Sequence, residues 1–225
     1  MVSLILVVVG ALIGTLGGSG VWWAVRYFTD HDQRPARTPV TPGAIVMAPA
    51  HSRPLPAWVV CLTLAAWGAF VGWRAPGWPT AIGAGLVTAV LLTISLVDLR
   101  VQRVPNLLVL VLLAWAVVQS LWLGRPTLVE LVVGLFTGGG VFLLLALFSR
   151  GALGAGDVKL AAASGALVGW PAVLVALFLS ILAGGIAAGL LLVTRRATRG
   201  DTMAYGPYLA LGSWLVYSAF LGLWR

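Results

Sequence analysis

The chain is poor in cysteine and in acidic residues. Cys61 is the only thiol among 225 residues, which excludes an internal disulfide framework and any multi-cysteine zinc site. We interpret Cys61 as a packing residue inside a helix. Only six Asp and Glu stand against fourteen Lys and Arg. Each carboxylate can therefore be weighed individually as a functional candidate.

Charge of any kind is scarce, and apolar residues dominate. Charged residues make up 9% of the chain and hydrophobic residues 60%, with a mean hydropathy of +1.03. A soluble domain carries about a quarter charged residues. Apolar runs near the roughly 20 residues that cross a bilayer recur along most of the chain. The composition predicts an all-α, polytopic helix bundle in a lipid bilayer, with residues 1–225 as one membrane domain.

We predict about eight apolar membrane segments. The first is a retained helix and not a secretory signal, because no basic residue precedes it and Arg26 follows it. The sixth is too short to span a bilayer comfortably, which favours a tilted or partly re-entrant helix. Residues 27–56 lack apolar periodicity and are predicted to be a flexible loop. The segments are about 2–25, 57–73, 79–97, 105–123, 129–148, 157–170, 172–194 and 207–224.

The basic residues predict the orientation in the membrane. The odd-numbered loops are those that follow the first, third, fifth and seventh apolar segments. Eleven of the fourteen Lys and Arg lie in or next to these loops. Since Lys and Arg are retained preferentially in the cytoplasm, both termini are predicted outside and these loops in the cytoplasm. The net charge of +8 is then a feature of membrane topology. Basic residues scattered between apolar runs give no nucleic-acid-binding face.

Two carboxylates, Asp98 and Asp157, adjoin apolar runs on the same predicted side. An ionisable group at membrane depth is costly, which supports a functional hypothesis for each. Each also has a structural interpretation: Asp98 as an ion-pair partner of Arg100 or Arg103, and Asp157 as an N-terminal helix cap. Singly the interpretations are evenly matched, and the presence of both aspartates favours function. The remaining carboxylates are interpreted as solvated charges: Asp30, Asp32, Glu130 and Asp201.

Two carboxylates that meet in a low-dielectric site cannot both ionise cheaply, so they share a proton. The ionised member can take a proton from water while the protonated member polarises a peptide carbonyl, as in the aspartic-protease dyad. Gly154 and Gly156 would let backbone or substrate approach closely. A proton-coupled transporter could also use paired acids, although the chain lacks the internal repeat common in transporters.

The residues around both aspartates resemble the type IV prepilin peptidases, which belong to the GxGD intramembrane aspartyl proteases. The run GAGDVKL at 154–160 resembles the family's GxGDxKL, and AAASGALVGW at 161–170 resembles its continuation. Asp98 with VPN at 104–106 is similar to the first aspartate and its downstream Ile/Leu-Pro-Asp/Asn. The run YGPYLA at 205–210 resembles the (P)FGPFLA opening of the last helix. The resemblance covers 85–215, the expected peptidase core, and is faint before it.

This resemblance implies that Asp98 and Asp157 are the catalytic pair, with water as the nucleophile. Gly154 and Gly156 would shape the active-site loop, and Lys159 would either hold the ionised pair or mark the cytoplasmic boundary. The implied substrate is a prepilin or pseudopilin with a short basic leader before a hydrophobic helix. Cleavage would occur at the cytoplasmic face of the inner membrane. The remaining motif residues are implied to contact substrate or support the site: Pro105, Asn106, Gly206 and Pro207.

The first cytoplasmic loop departs from the family's bifunctional members. Those members carry two CxxC pairs there, associated with zinc and with N-methylation of the new terminus. Residues 27–56 contain no cysteine, and His31 and His51 lie far apart. We therefore predict no metal and no cofactor, N-methylation is not predicted, and the oligomeric state is left unassigned.

Overall fold

The computed structural model describes residues 2–30, 57–75, 77–148, 153–195 and 203–223. Over these ranges the chain forms helices and no strand, which confirms the predicted all-α class. The helices are α1 (Val2–Asp30), α2 (Ala57–Arg74), α3 (Trp78–Val101), α4 (Asn106–Leu123), α5 (Leu128–Phe148), α6 (Ala155–Val168), α7 (Ala172–Val193) and α8 (Gly206–Phe220).

Four of the helices, α3, α4, α5 and α7, are long and apolar enough to cross a membrane. They support a multi-pass membrane protein. The predicted count of about eight membrane segments and the outside N-terminus stay predictions. Helix α1 continues to Asp30, so residues 27–30 of the predicted polar loop are helical, whereas 31–56 lie outside the described residues.

The surface of the bundle is strongly apolar. Five large apolar side chains of α5 and α7 expose between 70% and 82% of their area. Water would make such exposure unfavourable, whereas lipid tails accept it. This surface pattern is the one expected where lipid is the solvent. The five are Val129, Phe136, Leu147, Phe148 and Val193.

Helix boundaries at the ends of α3, α4 and α8 follow local backbone signals. Gln102, which directly follows the last residue of α3, is left-handed with φ 51°. Pro105 directly precedes α4, which ends at left-handed Gly124 with φ 65°. Pro207 lies in the first turn of α8, where an N–H has no intrahelical partner and its absence costs little. Pro105 and Pro207 thereby provide sequence-local signals for the starts of α4 and α8.

Helix α6 is the central and shortest helix. It contains 14 residues, the length predicted for the sixth apolar segment, and its buried side combines small residues with Leu160, Leu167 and Val168. At 1.5 Å per residue it is about 21 Å long, against about 30 Å for a hydrocarbon core. A Cβ on Gly138 of α5 would collide with the carbonyl oxygen of Ala161, and one on Gly134 with that of Gly165. Helices α5 and α6 therefore touch backbone to backbone.

Helix α8 is held against α3 and α4 by hydrogen bonds between side chains. The indole Nε1 of Trp214 donates to Thr88 Oγ1 at 2.9 Å. The hydroxyl of Tyr217 donates to Gln119 Oε1 at 2.6 Å and accepts from Trp115 Nε1 at 3.1 Å. Bonds of this kind supply the attraction that the hydrophobic effect cannot provide between helices in lipid. They set where the first residue of α8 lies relative to α3.

Candidate active site

A polar pocket of about 270 Å³ lies where α3 ends and α4 and α6 begin. It brings together residues from segments that are far apart in sequence. Six of the nine predicted site residues line it, whereas Pro105, Gly206 and Pro207 are not among its lining residues. The pocket is lined by Asp98, Gln102, Arg103, Val104, Asn106, Gly154, Gly156, Asp157 and Lys159.

Asp98 lies in the last turn of α3 and is only 4% exposed. Its Oδ2 accepts a hydrogen bond of 2.9 Å from the backbone N–H of Gly206, the first residue of α8. That N–H has no partner inside its own helix, so the carboxylate satisfies it. A Cβ at position 206 would lie 2.7 Å from Oδ2. Only glycine allows this approach.

Asp157 is the third residue of α6 and is half-buried. Its Oδ2 accepts from the backbone N–H of Gly154 at 3.0 Å, and its own N–H donates to the carbonyl of Gly154 at 3.0 Å. This reciprocal arrangement confirms the capping interpretation. Capping and a place in the pocket coexist, because the cap orients the carboxylate at the same end of the helix that the pocket adjoins.

The glycines before Asp157 differ in what the structure requires of them. A Cβ on Gly156 would lie 3.1 Å from Cβ of Val104, in the turn between α3 and α4. The start of α6 thus packs tightly on that turn. This packing places the start of α6 in the pocket that Asp98 also lines. Gly154 has φ −88° and ψ 154°, an extended conformation open to any residue. Its backbone angles alone do not demand glycine.

Lys159 has a side-chain partner that the sequence did not suggest. Its Nζ donates to Oδ1 of Asn106 at 3.2 Å, which links α6 to the first residue of α4. The two predicted roles were an electrostatic hold on the aspartates and a boundary anchor. The observed bond connects two motif residues and helps to keep α4 and α6 in register at the pocket.

Tyr205 precedes Gly206 and supports it from the α7 side. Its hydroxyl donates to the carbonyl of Ser180 at 3.2 Å, and its ring centroid lies 5.7 Å from that of Phe142. Burial, and secondly the negative charge of Asp157, raises the pKa of Tyr205 to about 12. The hydroxyl therefore remains a donor throughout the neutral range.

Sequence reasoning did not single out Gln102, and it named Arg103 only as a candidate ion-pair partner of Asp98 and Val104 only as part of the VPN motif. Gln102 follows Asp98 by four positions, a spacing that places two residues on one face of a helix. That spacing could have identified Gln102 as a candidate pocket residue. No cluster of three or more His, Cys, Asp or Glu suited to a metal occurs among the described residues.

Known proteins resemble this chain over the same region. Residues 85–189, which contain both aspartates, match the profile of the type IV leader peptidase family. Three curated relatives are each named prepilin leader peptidase/N-methyltransferase. That of Aeromonas hydrophila is 35% identical over 146 residues, covering 63% of this chain and 50% of the relative. That of Neisseria gonorrhoeae is 32% identical over 171 residues, covering 74% and 56%.

The third, from Escherichia coli strain K12, is 38% identical over 147 residues and covers 62% of this chain and 64% of the relative. The chain spans about half the length of the first of these relatives. No solved structure matches it. The family resemblance drawn from the motifs is confirmed.

Proposed function

Residues 85–189 belong to the type IV leader peptidase family, and on that premise we propose that the chain is a membrane-embedded aspartic endopeptidase. It removes the short basic leader from prepilin or pseudopilin-like proteins. The observation that supports this most directly is that Asp98 and Asp157, from different helices, line one polar pocket. A water-activating dyad requires two carboxyl groups from separate segments to share such a space.

In the proposed reaction, the ionised carboxylate takes a proton from water while the water oxygen attacks the scissile carbonyl carbon. The protonated carboxyl group hydrogen-bonds to the carbonyl oxygen and stabilises the negative charge that develops there. Collapse of the tetrahedral intermediate breaks the C–N bond, and the carboxyl group that took the proton from water gives it to the leaving amine. No acyl-enzyme forms. The bonds from Gly206 to Asp98 and from Gly154 to Asp157 orient both carboxylates before substrate arrives.

We place the enzyme in the inner membrane with the pocket facing the cytoplasm. The support is the distribution of Lys and Arg, because positively charged loops are retained on that side. N-methylation is not part of the proposal, although the relatives' names include it. Residues 27–56 contain no cysteine from which the bifunctional members' paired motifs could be built.

The test is leader removal in membranes that contain the chain and a tagged prepilin of Pseudomonas aeruginosa, an organism with a curated relative. The wild type is expected to shorten the prepilin. Asp98→Asn and Asp157→Asn should each leave it uncut, because an amide can neither accept the proton from water nor share one. Asp30→Asn is the matched control, since Asp30 ends α1 and does not line the pocket. Full cleavage by either pocket variant would overturn the proposal.

A proton-coupled transporter was the alternative prediction. Neither the family match nor the relatives support it. Vesicles that contain the chain should show no solute or proton flux that depends on Asp98 or Asp157. Such a flux, in a chain that cuts no leader, would restore the transporter.

A further inference from the structure

Gln102 has a backbone conformation that its side chain does not favour. It directly follows the last residue of α3, and its N–H donates to the carbonyl of Asp98 at 2.8 Å. Its φ of 51° and ψ of 43° lie in the left-handed region, which is uncommon for residues other than glycine and asparagine. Strained positions of this type cluster at active sites and ligand contacts.

The side chain of Gln102 carries a second unfavourable feature. Its Nε2 is buried and has no hydrogen-bond partner. A buried donor without a partner destabilises the folded state, because it loses its water and gains nothing in exchange. A glycine would relieve the backbone conformation, and an apolar side chain of similar size would remove the unpaired donor. Stability alone therefore does not explain a glutamine at this position.

The position of Gln102 indicates what could use this donor. Three other side chains in the described part of the molecule have a buried, unpartnered polar atom, and none of the three lines the pocket that holds Asp98 and Asp157. Asn106, the other amide of the pocket, already accepts from Lys159 through its Oδ1. The three are Trp67, Ser120 and Ser164.

We propose that Gln102 is a substrate-binding residue whose carboxamide hydrogen-bonds to the main chain of the substrate peptide beside the scissile bond. This inference rests on the proposed peptidase function. A peptide group offers one carbonyl acceptor and one N–H donor, and a primary amide offers the complementary pair. The terminal torsion of glutamine is broad and roughly two-fold, so rotation can present either end of the amide to the pocket. Binding would give the buried donor its partner.

The test measures prepilin cleavage and thermal stability in detergent for the full-length chain and its variants, with the P. aeruginosa prepilin as substrate. Gln102→Met keeps the size and flexibility of the side chain but removes its hydrogen-bonding groups. We expect its kcat/KM to fall about tenfold or more, the scale of one lost hydrogen bond in a desolvated site, while its Tm stays equal or rises. A residue that only stabilised the fold would lower both together.

Two further variants make the result specific. Gln102→Asn keeps the amide and suits left-handed backbone, so it should retain more activity than Gln102→Met. Ser120→Ala removes another buried, unpartnered polar atom away from the pocket and should leave cleavage unchanged.

Full activity of Gln102→Met beside an active wild type would overturn this inference alone. A parallel loss of Tm and activity would assign Gln102 a structural role and also overturn it. Failure of the wild type to cut the prepilin would remove the proposed function and this inference with it.

Discussion

The backbone N–H of Gly206 lies 2.9 Å from Oδ2 of Asp98, which joins the first residue of α8 to the last turn of α3. This bond fixes an orientation of Asp98 that the α3 backbone alone cannot fix. It also connects Gly206, which does not itself line the pocket, to a carboxylate that does. The glycine is needed for contact, and the proline for helix initiation.

Gly206→Ala is expected to reduce leader cleavage at least about tenfold, because the added Cβ would lie 2.7 Å from Asp98 Oδ2 and displace the carboxylate. Cleavage rate and the amount of membrane-inserted protein are measured together. Gly185→Ala in α7 is the control, since no atom lies within 4 Å of a Cβ there. Equal rates for the two variants would show that the approach of Gly206 to Asp98 is not required.

Gly138→Ala and Gly140→Ala should change stability in opposite directions. A Cβ on Gly138 would meet the Ala161 carbonyl of α6, whereas one on Gly140 meets nothing within 4 Å. Separating α5 from α6 should cost about 1–3 kcal/mol. Alanine at the open position should stabilise by up to about 1 kcal/mol, since it restricts the unfolded chain. Thermal unfolding in detergent checks both signs, and a fall in Tm at Gly140 as large as that at Gly138 would contradict the packing explanation.

The bond between Lys159 and Asn106 predicts non-additive effects. Lys159→Met and Asn106→Leu should each slow cleavage, and the double variant should be little slower than either, because each change removes the same 3.2 Å bond. The expected coupling is about 0.5–1.5 kcal/mol in the cleavage barrier. Asn106→Asp should remain active, since a carboxylate accepts a hydrogen bond from Lys159 at least as well as the amide oxygen of Asn106 does. If the effects of the two single changes simply add in the double variant, the bond does not contribute to the cleavage rate.

Tyr205 predicts a loss of stability at alkaline pH. Its pKa is raised to about 12 in the folded state, above the ordinary value of about 10. Folding therefore favours the neutral phenol. The contribution of Tyr205 to folding stability is complete below pH 10 and is lost as pH rises from about 10 toward about 12. Tyr205→Phe should lower Tm at neutral pH through loss of the bond to Ser180. Between pH 10 and 12, the Tm of this variant should fall less than that of the wild type. Tyr27→Phe, in α1, is the control; identical alkaline slopes for wild type and Tyr205→Phe would contradict the assignment.

Local patterns in the sequence predicted the helical class and a short sixth helix, and they singled out both aspartates as candidates. These features depend on composition, on run length and on the cost of charge in lipid, all of which are properties of neighbouring residues. The apolar segment predicted at about 2–25 is part of a longer helix, α1, which runs to Asp30. There the aromatic rings of Trp23 and Tyr27 stack with centroids 5.4 Å apart and continue the helix beyond the first charged residue.

The contacts inside the pocket could not be predicted in the same way. The partner of Lys159 lies 53 positions away in sequence, and the donor to Asp98 lies 108 positions away. Such pairs depend on how the helices pack, which no local periodicity encodes. The left-handed backbone of Gln102 also depends on the turn into α4, and a glutamine gives no sign of it in the sequence. Motif resemblance indicated which residues gather at the site but not which atoms meet.

The separation of 108 residues between Asp98 and its amide donor has a consequence for biogenesis. A ribosome making this chain adds both aspartates before it reaches Gly206. Until the final helix has been synthesised and has docked, Asp98 lacks the donor that orients it. The order of synthesis thus delays assembly of the pocket until α8 has been made, so a nascent chain that lacks α8 holds both carboxylates without their finished geometry.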